Sequence, residues 1–185
     1  MGLSECKSNE RESIEYWDNR LDAYWDKPYH GMFLDDKVVI DKMDKRNLHI
    51  ITNHILKLSD AYNCIDILEC GCGNGRYIPK ILDTFLNEYI TSYVATDFAT
   101  RNVCEAIELY RDYDIEIFQA NMNDLHTILK GRKFHMIFMV SALSSIQNNF
   151  NTIVENLSTL LHDGEQLHIM EQEKSIICYN NWKSA

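Results

Sequence analysis

Two rhythms divide the chain. In the first 60 residues, apolar positions recur at helical spacing: Ile14, Trp17, Leu21 and Trp25 fall on one face, and Leu48, Ile51, Ile55 and Leu58 line another. Pro28 and Gly31 interrupt the first pattern, and a polar turn over residues 59–63 ends the second. From Ile65 onward, short apolar runs alternate with helical periodicity. Strands are expected at 65–70, 93–96, 115–119, 134–140 and 165–170. Between them, helices are predicted from Tyr77, Ile78, Ile81, Leu82, Phe85 and Leu86, from residues 100–110, and from Phe150, Ile153, Val154, Leu157, Leu160 and Leu161. Five strands alternating with helices mean βαβ units, hence an α/β fold with a mostly parallel sheet covered on both faces. The change of rhythm divides the chain into an N-terminal helical segment, 1–60, and an α/β domain, 61–185.

Composition narrows the class. A chain of 185 residues that is 45% hydrophobic has room for one domain with a sizeable core. The longest apolar stretch, around 136–146, is far short of a membrane span, and residues 1–20 are too charged for a secretory signal. The six cysteines show no disulfide framework and read as reduced thiols of a cytoplasmic protein. The seven histidines show no metal or triad spacing, and Cys70 and Cys72 read as small loop side chains, so no metal is expected.

The informative segment runs from Asp66 to Tyr77 and holds Glu69, Gly71, Gly73 and Gly75 between the first strand and the first helix of the α/β part. Glycines there let the backbone turn sharply and let a ligand approach main-chain N–H groups. A plain strand-to-helix turn is the bland alternative. The dinucleotide fingerprint wants its third glycine one residue later, where Arg76 stands. Asp97 ends the second strand, where a carboxylate can accept hydrogen bonds from ribose hydroxyls or, alternatively, cap a helix.

The Glu-x-Gly-x-Gly-x-Gly spacing resembles motif I of class I S-adenosylmethionine-dependent methyltransferases, whose fold is Rossmann-like. The resemblance implies S-adenosyl-L-methionine as cofactor, with Glu69 suited to its ammonium end, the glycines to its methionine portion and Asp97 to its ribose. It puts Asn121 and Met122 beside the adenine and Val140 along the pocket. Further pieces are similar to the eukaryotic tRNA N3-methylcytidine methyltransferases: Asp97-Phe98-Ala99-Thr100-Arg101, Leu143-Ser144-Ser145-Ile146, Trp25-Asp26-Lys27-Pro28-Tyr29 and Phe33-Leu34-Asp35. Together they cover roughly residues 15–170. By this resemblance Trp25 and Tyr29 close over the cofactor; as a plain helical residue, Trp25 could equally be core, and Trp17 is read as core. Phe98 joins the cofactor set. Where that family carries Arg-Asp-Tyr-Gly after its fifth strand, this chain has Met170-Glu171-Gln172-Glu173. The family continues through several more strands and helices, whereas this chain stops at Ala185.

Cytosine N3 keeps an in-plane lone pair at neutral pH, so its methylation needs alignment more than a base, and the cationic product is stabilised by a nearby carboxylate. Glu171 and Asp124 are the candidates for that carboxylate. Other readings stay open: a wobble-uridine carboxyl methyltransferase, a protein N-terminal amine methyltransferase, or a non-catalytic partner subunit of the same fold. Charge bears on the substrate. The net charge is −10; residues 1–60 hold 9 basic and 12 acidic residues, and 61–185 hold 9 and 16. Neither part is a basic platform, so a tRNA substrate implies that another protein, or an absent C-terminal segment, supplies most phosphate contacts.

Overall fold

The apolar runs form the middle of a six-stranded sheet in the computed structural model, which describes residues 13–24, 37–142, 149–170 and 176–180. Strands β1 (Ile65–Cys70), β2 (Ile90–Asp97), β3 (Glu116–Gln119), β4 (Phe134–Val140) and β5 (Leu161–Met170) run parallel. Strand β6 (Ile176–Asn180) lies antiparallel on the β5 edge, and the spatial order is β3-β2-β1-β4-β5-β6. Every residue of β4 is buried. Such a strand is covered on both faces, which is why its sequence is an unbroken apolar run.

Among the described residues, seven helical elements surround the sheet: α1 (Ile14–Tyr24), α2 (Lys37–Ser59), α3 (Ile78–Leu82), a 3-10 turn (Phe85–Glu88), α4 (Thr100–Leu109), α5 (Leu125–Ile128) and α6 (Phe150–Ser158). On one face Ile51, Ile55 and Leu58 of α2 and Ile78 and Ile81 of α3 pack with Ile65, Ile67, Tyr93 and Phe138. On the other, Leu125 of α5 and Ile153, Val154 and Leu157 of α6 pack with Leu68, Val94, Ile137 and Leu167. The chain fills the sheet outward from β1 to β3, then restarts beside β1 with β4 and proceeds the other way. That reversal makes the carboxyl ends of β1 and β4 the switch point of the topology, the place where open α/β sheets hold ligands. None of the described helices is long and apolar enough to cross a membrane.

The expected α/β fold with five parallel strands is what the structure has. Four local expectations are corrected. The periodicity does not include β6, whose antiparallel pairing adds a strand beyond the five. The helical run from Tyr77 to Leu86 is broken: α3 ends at Leu82, and the Thr84 hydroxyl donates to the Ile81 carbonyl and accepts from the Leu86 N–H, starting the 3-10 turn. Phe85 is consequently 60% exposed rather than facing the core. Leu160 and Leu161 follow the end of α6, Leu161 opening β5; both still reach the second core. Trp17 is half-buried on α1, edge-on to Tyr16 with ring centroids 5.3 Å apart, instead of inside the sheet core.

Candidate cofactor site

The glycine loop leaves β1 at its carboxyl end and turns back through Gly71, whose N–H donates to the Thr96 carbonyl at 2.7 Å, as does that of Cys72 at 2.9 Å. These bonds fasten the loop across the end of β2. A side chain at Gly71 would meet Ala142 Cβ at 2.9 Å and Met122 Cε at 3.0 Å, so the loop, the start of the β3–α5 connection and the chain leaving β4 are in close contact. Gly75 is walled in by Tyr110 and Ile78. Gly73 differs: at φ +59° its side-chain position has nothing within 4 Å among the described residues. That position is an open cradle with a bare backbone, as a ligand approaching the main chain requires.

Two carboxylates flank the loop. Glu69, at the end of β1, is only 2% exposed and accepts a hydrogen bond from the Tyr93 hydroxyl at 2.6 Å. Burial pushes its carboxyl up from 4.5 to about 7, against the lowering influences of the Tyr93 hydrogen bond and of Arg76. Arg76 itself lies 3.4 Å from Asp44 of α2, which also receives the Tyr77 hydroxyl at 2.9 Å and Lys80 at 2.6 Å. Glu69 is thus a buried acid whose nearest guanidinium is shared with another carboxylate, an arrangement that favours an incoming ammonium group.

Asp97 is half-buried at the end of β2. Its Oδ2 accepts the Gly73 N–H at 2.8 Å, and its Oδ1 accepts the Ala99 N–H at 2.9 Å and the Asn102 amide at 3.1 Å. The helix-capping alternative is set aside by this geometry: α4 begins at an Ala99 cap without a side-chain bond, and Asp97 bonds the turn and the glycine loop instead. Burial raises the Asp97 carboxyl, and hydrogen bonds from Ala99, Asn102, Gly73 and Phe98 oppose that rise.

The remaining expected residues are distributed as follows. Met122 lies against Gly71, while the Asn121 side-chain oxygen is engaged by the Asn123 N–H at 3.0 Å and the Asn123 amide at 2.9 Å. Val140 is 8% exposed in the first core, at the end of β4. Phe98 is half-buried, and its carbonyl accepts from the Gln119 amide at 3.1 Å. Asp124 is exposed at the start of α5. Trp25, Tyr29, Glu171 and the 143–146 run lie outside the described residues. Burial pushes the thiols of Cys70 and Cys72 up, which fits small, unreactive loop side chains.

Sequence reasoning missed Ser141. It follows β4 at φ +56°, a left-handed backbone rare outside glycine, its N–H donates to the Met170 carbonyl at 2.8 Å, and its buried Oγ has no hydrogen-bond partner among the described residues. A hydroxyl without a partner among the described residues, just past the carboxyl end of β4, is an available donor or acceptor for a ligand. The only sequence signal for it is its place at the end of a wholly apolar strand.

A doubly wound sheet with a glycine loop, an acid at the end of β1 and a second acid at the end of β2 defines an enzyme domain that binds a nucleoside-bearing cofactor. Residues 67–164 match the methyltransferase domain family, and the chain belongs to that family. It is an S-adenosylmethionine-dependent methyltransferase of class I. Among solved structures it is similar to magnesium protoporphyrin IX methyltransferase from Synechocystis PCC 6803 with bound S-adenosylmethionine: TM-score 0.64, 12% identity, 90% of this chain and 77% of that one. It is likewise similar to the N-methyltransferase NodS from Bradyrhizobium japonicum WM9 in complex with S-adenosyl-L-homocysteine, with TM-score 0.54, 16% identity, and coverage of 87% and 72%. The DhpI complex with S-adenosylhomocysteine gives TM-score 0.56, 18% identity, and coverage of 90% and 71%. At these identities the likeness is one of fold. Comparison of the sequence with curated proteins gives no match.

The residues present fit the cofactor: two carboxylates could take its cationic and ribose parts, and Gly73 and the Ser141 hydroxyl are open among the described residues. Glu69 provides a test with a worked sign. Its folded pKa lies above the unfolded one, so its contribution to stability is full below pH ~4.5 and is lost as pH rises through about 7. Glu69→Gln keeps an acceptor for Tyr93 and removes the buried charge. We expect it to raise the urea stability at pH 8 by up to roughly 3 kcal/mol, with little change at pH 5, while weakening S-adenosylmethionine binding. Equal effects at the two pH values would show that Glu69 carries no such burden.

Proposed function

We propose that this methyltransferase modifies N3 of a cytosine in tRNA, together with a partner protein that supplies most of the phosphate contacts. The observation that supports the methyl-transfer part is the buried Glu69 at the end of β1, ahead of a glycine loop whose Gly73 N–H donates to Asp97 at 2.8 Å. Support for the acceptor comes from the sequence: the Asp97–Arg101 stretch, the Leu143–Ile146 run and the Trp25-Asp26-Lys27-Pro28-Tyr29 element resemble short pieces of one family of RNA enzymes.

Asp97 would hold the ribose, Glu69 the ammonium group, and Met122 and Val140 the apolar walls. The bound cofactor supplies a methyl group made electrophilic by a sulfonium. The task of the protein is then to exclude water and to align the acceptor lone pair, an effect worth up to about 7–11 kcal/mol in ideal cases. A cytosine N3 arrives with its lone pair available, so no residue has to remove a proton first. It must be unpaired or splayed out to be reached, which suits a tRNA loop. Exposed Asp124, near Met122 in sequence, is a candidate to face the cationic product, and Glu171 is a second.

The surface charge favours the partner. A protein with a net charge of −10 repels a phosphate backbone at long range, whereas it attracts a basic protein. Transfer of labelled methyl groups to total tRNA, with and without cell extract, tests both parts. We expect labelled 3-methylcytidine on nucleoside analysis, with a large gain when extract is added. Label confined to protein or to small molecules would overturn the tRNA reading, and equal labelling without extract would overturn the partner.

A further inference from the structure

At the end of the sheet remote from the glycine loop, β1, β4 and β5 start side by side. We propose that Asp66, His135 and His162, at the starts of these strands, form a binding site for one divalent transition-metal ion of the zinc type. This inference stands apart from the choice of methyl acceptor.

One donor atom from each of the three residues lies within 4.8 Å of the other two. The convergence is built by breaks in strand pairing rather than by regular alternation. The β1–β2 register shifts between Ile65 and Asp66. The β4–β5 pairing jumps from Phe134 opposite Leu161 to Met136 opposite Gln166, so residues 162–165 of β5 face the single residue His135 of β4. Gly164, at φ +91°, allows that bulge to fold. Bulges re-aim side chains and concentrate next to functional sites. Here they turn His162 toward His135, with ring centroids 4.3 Å apart.

The chemistry of the set suits such an ion. Two borderline imidazole nitrogens and one hard carboxylate oxygen form a donor set that zinc and its neighbours accept, and three protein ligands leave a position open. His135 is buried, and its Nδ1 accepts the Asp66 N–H at 3.0 Å while lying 3.6 Å from Asp66 Oδ2. That nitrogen therefore carries a lone pair and not a proton. A lone pair on a ring nitrogen is what coordination requires. Beside the cluster the Tyr62 hydroxyl donates to Glu165 Oε1 at 2.8 Å and stacks obliquely on His135 at 4.6 Å. Tyr62 thereby steadies a second carboxylate whose charge acts on His135. Using Nδ1 means displacing the Asp66 N–H, a cost that sets the affinity below that of a preformed cage. A bound ion would fasten the starts of three neighbouring strands.

The test uses the full chain after treatment with a chelator. Titration with zinc chloride at pH 7.5 is expected to show one saturable equivalent, and cobalt(II) is expected to give the visible absorption of a nitrogen- and oxygen-ligated ion. His162→Ala and Asp66→Asn should each weaken zinc binding on the order of tenfold or more, a loss that even indirect partners of a metal can produce. Exposed His49→Ala serves as the control and should leave binding unchanged. Asp66→Asn preserves side-chain size, and near-ultraviolet circular dichroism checks that both variants are folded. Absence of saturable zinc binding, or equal affinity in the wild type and both folded variants, would overturn the proposal.

Discussion

Replacing Asp97 with alanine is expected to abolish measurable S-adenosylmethionine binding by calorimetry, a loss of two orders of magnitude or more. Two charge-assisted hydrogen bonds to ribose hydroxyls are worth roughly 1.5–3 kcal/mol each. The same carboxylate also holds the Gly73 N–H at 2.8 Å and the Ala99 N–H at 2.9 Å, so its removal loosens the loop that receives the cofactor. Asp97→Asn separates the two contributions. It keeps one acceptor oxygen for the turn but lacks the charge, and it should bind more weakly than the wild type while unfolding at nearly the same urea concentration. Unchanged affinity in the alanine variant would remove Asp97 from the ribose role.

The second large effect contrasts two glycines of one loop. At Gly75, with φ +81°, an added Cβ would stand 2.5 Å from Tyr110 Cε2 and 2.7 Å from Ile78 Cδ1. Left-handed strain costs about 1–2 kcal/mol and overpacking typically ~1–3 kcal/mol more. Against a total stability of roughly 5–15 kcal/mol, Gly75→Ala should lower the urea midpoint markedly. At Gly73 the side-chain position is open, so Gly73→Ala should cost only the left-handed strain, about 1–2 kcal/mol. Its methyl group, however, fills the cradle, and cofactor affinity should fall steeply. Stability and binding are thus expected to separate: Gly75→Ala mainly lowers stability, Gly73→Ala mainly lowers affinity. If both variants lose stability equally and keep equal affinity, Gly73 does not face the ligand.

Arg76 shows how a local departure gains meaning from its surroundings. In the sequence it stands where the dinucleotide fingerprint would have its last glycine, and nothing nearby explains it. In the fold it reaches Asp44, thirty-two positions earlier, and the ion pair sits within a buried network with Tyr77, Lys80 and Asn47. Asp44 is 6% exposed, so breaking the network from one side would strand a buried charge. Tyr93 is similar: an apolar strand residue by pattern, it turns out to be the donor that orients Glu69.

Much was legible along the chain because it depends on neighbours in sequence. The limits of β1 and β4, the glycine loop between strand and helix, and the acid ending β2 all follow from local spacing and from burial on both faces of a sheet. Periodicity was less reliable where a side chain intervened, as when Thr84 ended the run of α3, and silent where pairing alone makes a strand, as for β6.

The amino-acid sequence by itself determined the α/β class, the methyltransferase motif and the two acids that flank the loop. Only the tertiary structure decided which glycine is open, that Asp97 holds Gly73, that the Ser141 hydroxyl has no partner among the described residues, and that Asp66, His135 and His162 meet. The reason is physical. Helical and strand periods act over a few residues, whereas these contacts are made by strand order and register, which join segments tens of residues apart.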